Sequence, residues 1–167
     1  MDSRAILIEL PRLRRYARAM VKDRATADDL VQDTLVQAWA RMSQWREGSD
    51  LRAWLFSIMH NLRIDQLRKP GLDMSELEDE YSESTMRETQ SDRLEVKDLE
   101  NALQRLPEDQ REILLLVALE DLSYQEVAQA LGIPMGTVMS RLSRGRERLR
   151  LILQDGHQLP TRLRVVL

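Results

Sequence analysis

Apolar residues recur along most of the chain at the three- and four-residue spacing that is typical of amphipathic α-helices. In the first part of the chain this pattern predicts helices over about residues 10–21, 26–42 and 51–68. Thr26 and Asp29 resemble a capping box at the start of the second helix. Three helices, each with an apolar face, predict a small bundle.

The second part of the chain continues the helical pattern with clearer stop and start signals. A helix is predicted over about residues 91–106, and Pro107 precedes a strongly apolar helix. Ser123 and Glu126 form a capping box for a short helix, and Pro134 opens a last one that continues to about residue 154. The sequence therefore predicts an all-α fold of two small helical domains, a helical bundle and a helix-turn-helix domain.

Charge divides the chain into three blocks. Residues 1–70 carry 13 Lys and Arg against 9 Asp and Glu, residues 71–100 carry 3 against 11, and residues 101–167 carry 9 against 8. The acidic segment has few large apolar side chains, so it is predicted to be a flexible linker. Although the formal net charge is -3, basic surfaces can lie on either side of it. The predicted layout is a first domain over 1–70, a linker over 71–90, a second domain over 91–155 and a tail over 156–167.

Composition limits the class of protein. Charged residues make up 32% of a chain that has no cysteine and two well-separated histidines, which excludes disulfide scaffolds and cysteine zinc sites. No apolar run approaches the roughly 20 residues that span a bilayer. We expect a cytoplasmic protein without membrane insertion, metal or other cofactor.

Residues 122–150 carry the strongest motif, which predicts a DNA-binding helix-turn-helix. Ala128 is small where the helices cross, Gly132 tolerates a positive φ in the turn, and Val138 can face inward on the second helix. That helix is expected to present its remaining side chains to a DNA major groove. The candidate contacts to duplex DNA are Met135, Gly136, Thr137, Met139, Ser140, Arg141, Arg144, Arg146, Arg148 and Arg150. Taken alone, the arginine run could also be an ordinary solvated helix face.

Two segments resemble conserved regions of one family. The text "SYQEVAQALGIPMGTVMSRLSRGRERLR" at 123–150 resembles region four of bacterial extracytoplasmic-function sigma factors. Residues 10–69, beginning "LPRLRRYARAMVKDRATADDLVQDTLVQAWARMSQW", resemble region two of that group. The resemblance implies an RNA polymerase subunit that binds core enzyme, recognises two promoter DNA elements, opens the start-proximal one and is held by an anti-sigma factor.

The resemblance also implies a docking surface for core RNA polymerase on the second helix. In the family this surface binds the clamp coiled coil of the beta-prime subunit, and complementary charge would steer such docking. The residues implied are Asp28, Asp29, Gln32, Asp33 and Gln37. A divalent-metal site or a solvated helix start are the competing interpretations of the acidic residues.

A second implied surface holds the start-proximal promoter element, where unpaired bases need stacking surfaces and cations. The candidates are Trp45, Arg46, Arg52, Trp54, His60, Asn61, Arg63 and Arg68. Asn61 matches best a position that lines a base pocket. Trp54 lies near the apolar stripe and is expected to belong to the core, and His60 could be an ordinary surface residue.

Two other classes of function remain as alternatives. One is a regulator that binds promoters through its second domain without replacing the polymerase's sigma subunit. The other is a helical hydrolase that would use Asp28, Asp29 and Asp33 with a metal, which we disfavour because no glycine-rich phosphate loop, Ser/His/Asp grouping or cysteine nucleophile is recognisable. Met139 stands where relatives often have Lys or Arg, so the promoter sequence is not predicted.

Overall fold

The computed structural model describes the backbone of residues 3–69 and 90–156, and within these ranges it contains helices and no strand. The helices of the first half are α1 (Ser3–Ile8), α2 (Leu10–Met20), α3 (Arg24–Ala40) and α4 (Leu51–Arg68), with a 3-10 turn at Met42–Gln44. Those of the second half are α5 (Gln90–Gln104), α6 (Glu108–Ala118), α7 (Tyr124–Leu131) and α8 (Met135–Gly156). The predicted all-α fold is confirmed. The predicted linker and tail lie outside the described residues, apart from one boundary residue each.

The predicted capping box of Thr26 and Asp29 at the start of α3 is wrong. Asp23 is the N-cap, and its carboxylate accepts a hydrogen bond of 3.0 Å from the Thr26 backbone N–H. The Thr26 hydroxyl donates to the same carboxylate. Thr26 therefore lies in the first turn of the helix, three residues after the N-cap, and is not the cap itself. These bonds lower the pKa of Asp23 below its ordinary value. Helix α1 was not predicted, because a helix of 6 residues offers too short a periodic pattern.

The two halves pack on each other. Helix α2 contacts α3 and also α6, while α4 contacts α3 and also α7. Buried apolar side chains of both halves form one continuous cluster that includes Leu55 and Phe56 on α4 and Val127 on α7. The rings of Tyr16 and Phe56 meet edge to face, with centroids 4.9 Å apart. The core therefore extends across the boundary between the predicted domains.

A buried arginine joins the halves. The Arg111 guanidinium donates to the carbonyls of Leu103 at 2.9 Å and Leu106 at 3.0 Å, next to the end of α5. It also donates to the Met20 carbonyl, the last residue of α2, at 2.5 Å. The last carbonyls of a helix have no partner within the helix, so Arg111 satisfies such groups from both halves. Burial lowers the pKa of Arg111, and the Glu108 carboxylate opposes this change.

Replacing the α3 N-cap tests the local account of this helix. Asp23→Ala is expected to reduce the free energy of unfolding by about 1 kcal/mol, because the Thr26 N–H loses its acceptor. Because the folded-state pKa of Asp23 is lowered, its contribution should be present above the unfolded-state pKa and be lost as pH falls through the folded-state value. Urea unfolding at neutral and acidic pH measures both effects. Lys22→Ala, at the exposed neighbouring position, is the control, and an equal loss in both variants would contradict the assignment.

Candidate nucleic-acid interface

Helices α7 and α8 form the predicted helix-turn-helix. The capping box of α7 is complete, since the Ser123 N–H donates to the Glu126 carboxylate at 2.7 Å and the Glu126 N–H donates to the Ser123 hydroxyl at 3.1 Å. Gly132 ends the helix with φ +65°, a left-handed conformation that glycine adopts without strain. Val127 and Val138 are fully buried. The turn and the buried contacts fix how α8 is presented.

The outer face of α8 has a strip of small residues between two arginine stripes. Gly136, Ser140 and Ser143 are exposed at helical spacing and form this small strip. One side of the strip carries Arg141, Arg144 and Arg148, and the other carries Arg146 and Arg150. The small strip would let the helix backbone approach the floor of a major groove, with arginines reaching phosphates on both walls.

The arginines of α8 differ in how they are already engaged. Arg141 lies 3.6 Å from the Asp109 carboxylate of α6, and Arg144 donates to the Ser140 carbonyl at 3.3 Å. Arg150 pairs with Glu147 at 2.6 Å, which raises the pKa of Arg150 and lowers that of Glu147. Within the described ranges, the exposed Arg146 and Arg148 have no ion-pair partner. These two cations are the most available for phosphates.

The structure divides the residues predicted to hold the start-proximal element into two groups. Arg46, Asn61 and Arg68 are exposed, and Trp45 is half-buried with its indole N–H unpaired among the described residues. Trp54 packs partly against the core, as expected. The remaining three face the second half of the chain and are Arg52, His60 and Arg63.

Each member of this second group binds a group of the second half. The Arg63 Nε lies 2.7 Å from the Glu108 carboxylate, and the His60 Nδ1 lies 2.5 Å from that of Glu112. Arg52 donates to the Glu120 carbonyl at 3.4 Å. We call these contacts, together with those of Arg111 and the ion pair of Arg15 with Glu120, the domain interface.

Glu120 is the most buried acidic group of the domain interface. Its side chain is 0% exposed, and Arg15 of α2 lies 3.1 Å from one carboxylate oxygen. The other oxygen has no hydrogen-bond partner among the described residues, and neither has the Arg52 Nε. Burial raises the pKa of Tyr16, and the carboxylates of Glu112, Glu108 and Glu120 raise it further. The domain interface therefore sets three carboxylates against a larger number of basic side chains, and some of its buried polar atoms have no hydrogen-bond partner among the described residues.

The predicted docking residues share the outer face of α3. Asp29, Gln32 and Asp33 are exposed, Gln37 is half-buried, and Asp28 lies 3.7 Å from Arg18 of α2. Among the described residues, no three His, Asp or Glu side chains are grouped closely enough to hold a metal ion.

Two apolar residues also lie on this face and were not predicted to belong to it. Val36 is 56% exposed and Trp39 is 42% exposed, and both continue the stripe that begins at Asp29. Their helical spacing from the acidic residues was a usable signal, but large apolar side chains are normally assigned to the core. The α3 face therefore combines acidic and apolar character.

These features define a two-part helical protein with a helix-turn-helix and a separate acidic and apolar face. Residues 6–60 match the family model described as the Sigma2 domain of PhyR, and residues 97–149 match that of Sigma-70, region 4. The chain is 37% identical to the ECF RNA polymerase sigma factor EcfG of Rhodopseudomonas palustris, covering 89% of this chain and 82% of that protein. It is 30% identical to the ECF RNA polymerase sigma factor SigM of Bacillus subtilis, covering 85% and 88%.

Solved structures of similar proteins match both halves of the chain. The sigma factor RpoE in complex with the anti-sigma factor NepR from Bartonella quintana superposes with a TM-score of 0.74 at 37% identity, covering 90% of this chain and 95% of that one. CnrH in complex with the cytosolic domain of CnrY gives a TM-score of 0.69 at 26% identity, covering 92% and 88%. The chain belongs to the extracytoplasmic-function sigma factors of RNA polymerase, a family of transcription initiation factors. Among the described helices, none combines the length and the hydropathy that a membrane-spanning segment requires.

The two unpaired arginines of α8 give a direct test of phosphate contact. Arg146→Ala and Arg148→Ala should each weaken duplex binding and reduce the slope of log affinity against log salt by about 0.9, the value for one phosphate contact. Fluorescence anisotropy with promoter duplex between low and physiological salt measures the slope. Arg150→Ala is the matched control, because Glu147 already neutralises that side chain. Unchanged slopes for both variants would show that these arginines do not face the phosphates.

Proposed function

We propose that this sigma factor binds core RNA polymerase through the outer face of α3 and contacts promoter DNA at two separate places. In this proposal residues 1–70 act as region two, residues 91–155 act as region four, and residues 71–90 connect them. The observation that carries the proposal is the presence, in one chain, of the α3 face and the arginine-flanked small strip of α8.

The docking face would bind the beta-prime clamp coiled coil. Its acidic and amide residues would steer the approach, and Val36 and Trp39 would supply the apolar contact that is buried on binding. The residues assigned to docking are Asp28, Asp29, Gln32, Asp33, Gln37, Val36 and Trp39.

The two DNA sites would perform different tasks. The upstream element would remain duplex and lie against α8, where the proposed contacts are Met135, Thr137, Met139, Ser140, Arg141, Arg144, Arg146 and Arg148. The start-proximal element would be held open by the first half, where the proposed contacts are Trp45, Arg46, Arg52, His60, Asn61, Arg63 and Arg68. We assign no catalytic residue, metal, cofactor or small-molecule substrate, and we place the protein in the cytoplasm.

In this proposal the arrangement in which the two halves pack on each other is a resting, closed form, and it has to open. Arg52, His60 and Arg63 are engaged by the second half and so are not free to hold unpaired DNA. Two solved relatives are bound to partner proteins, one of them the anti-sigma factor NepR. We propose that an anti-sigma factor also controls this chain.

Reconstituted transcription tests the function. The purified chain, added to core polymerase that lacks every other sigma factor, should produce transcripts with a defined start from its own promoters. A regulator that does not replace the sigma subunit would bind these promoters and give no such transcript. That second result would contradict the proposal.

Changing the apolar part of the α3 face tests the docking assignment. Trp39→Ser should weaken binding to core polymerase about tenfold or more, because truncating a buried aromatic anchor typically costs 2 kcal/mol or more at an interface. Affinity is measured by titrating labelled chain with core enzyme. Ile8→Ser is the control, since Ile8 is 74% exposed on α1 and lies outside the face. Equal affinity for Trp39→Ser and the unmodified chain would exclude this face as the docking site.

Weakening the domain interface tests the resting form while leaving every proposed DNA contact intact. Glu112→Gln combined with Glu120→Gln should favour the open form, because each charge-assisted hydrogen bond contributes about 1.5 kcal/mol or more. Because two such bonds are weakened, we expect half-maximal transcription at a core polymerase concentration at least tenfold lower. Glu100→Gln, at an exposed position on α5, is the matched control. A higher concentration requirement in the double variant would argue that the closed form is the one that binds polymerase.

A further inference from the structure

Two methionines are exposed on the helix proposed to enter the major groove. Met135 is 43% exposed and Met139 is 52% exposed, and they lie four residues apart on α8, so they share one side of the helix. This side adjoins the small strip of Gly136, Ser140 and Ser143. Two large apolar side chains therefore lie exposed next to a surface proposed to contact bases.

Met139 also lines a groove of about 430 Å³ between α7 and α8. Tyr124, at the start of α7, lies on one side of the groove, and Arg146 and Arg150 lie on the other. Glu147 pairs with Arg150, whereas Arg146 has no ion-pair partner among the described residues. An uncompensated cation beside the apolar surface favours an anionic occupant, and a nucleic-acid duplex combines phosphates with apolar atoms.

The chemistry of the major groove restricts what a methionine can contact there. A thioether is at most a weak hydrogen-bond acceptor, so it cannot replace the bidentate pairing of Arg or Asn with a base edge. The apolar group that the major groove offers is the C5-methyl of thymine. Methionine is flexible and polarizable, which suits contact with a methyl group whose position varies with the base step.

We infer that Met139, supported by Met135, contacts thymine methyl groups and so makes recognition of the upstream promoter element depend on thymine. The inference rests on the proposed contact of α8 with duplex DNA. It assigns part of the sequence preference to apolar contact instead of to the arginines. Of those, Arg141 lies beside Asp109 and Arg144 bonds back to Ser140.

Replacement of thymine by deoxyuridine tests this inference, since it removes only the methyl group. Holoenzyme assembled from the full chain and core polymerase first selects active promoters from a library that is randomised over the upstream element. Each thymine of the selected element is then replaced in turn, and holoenzyme affinity is measured for the chain, for Met139→Ala and for Leu151→Ala. Leu151 is the matched control, because it is 47% exposed and apolar on the same helix but near its other end.

The expected result is a loss of about fourfold in affinity for at least one deoxyuridine, the factor expected for burial of one methyl-sized group. This loss should disappear in Met139→Ala and persist in Leu151→Ala. Start-specific transcription with no deoxyuridine effect, an effect that persists in Met139→Ala, or a selected element without A·T pairs would each overturn the inference and leave the proposed function intact. If Met139→Ala instead weakens only the binding of core enzyme, the surface serves a protein partner and the inference is overturned. Absence of any start-specific transcript would overturn the proposed function itself.

Discussion

The buried guanidinium of Arg111 is the interaction on which the closed arrangement depends. It binds carbonyls next to the end of α5 and the last carbonyl of α2, so one side chain stabilises chain ends that belong to different halves. A buried cation is tolerated only when its donors are satisfied, and here backbone carbonyls and Glu108 satisfy them. The same two halves also meet where α2 packs against α5 and α6 and where α4 packs against α7.

Those further contacts have a different character. Arg111 is well satisfied, whereas the Arg52 Nε and one carboxylate oxygen of Glu120 are buried without hydrogen-bond partners among the described residues. Such atoms cost free energy, and polymerase or DNA could supply the missing partners. The boundary between the halves therefore combines a continuous apolar core with the polar domain interface, in which some buried atoms lack hydrogen-bond partners among the described residues. This combination suits a surface that is covered in one state and used in another.

Local signals in the sequence predicted most of the helices and the helix-turn-helix. The capping box at Ser123 and the turn at Gly132 each depend on residues within a few positions of one another, so a short stretch of sequence is enough to predict them. The contacts of His60 with Glu112 and of Arg63 with Glu108 join residues that are 52 and 45 positions apart. A cation suited to phosphate is equally suited to a carboxylate, so residue type alone could not distinguish DNA contact from an ion pair.

The distance between the two halves, in the free chain and in the polymerase complex, tests the central claim most directly. The chain has no cysteine, so Lys22→Cys and Arg105→Cys would place single spin labels at exposed positions next to the Arg111 contacts. Pulsed electron paramagnetic resonance should give a single short label-to-label distance with a narrow distribution for the free chain. The distance should be longer after core polymerase is added. The same short distance in a transcription-competent complex would contradict the account.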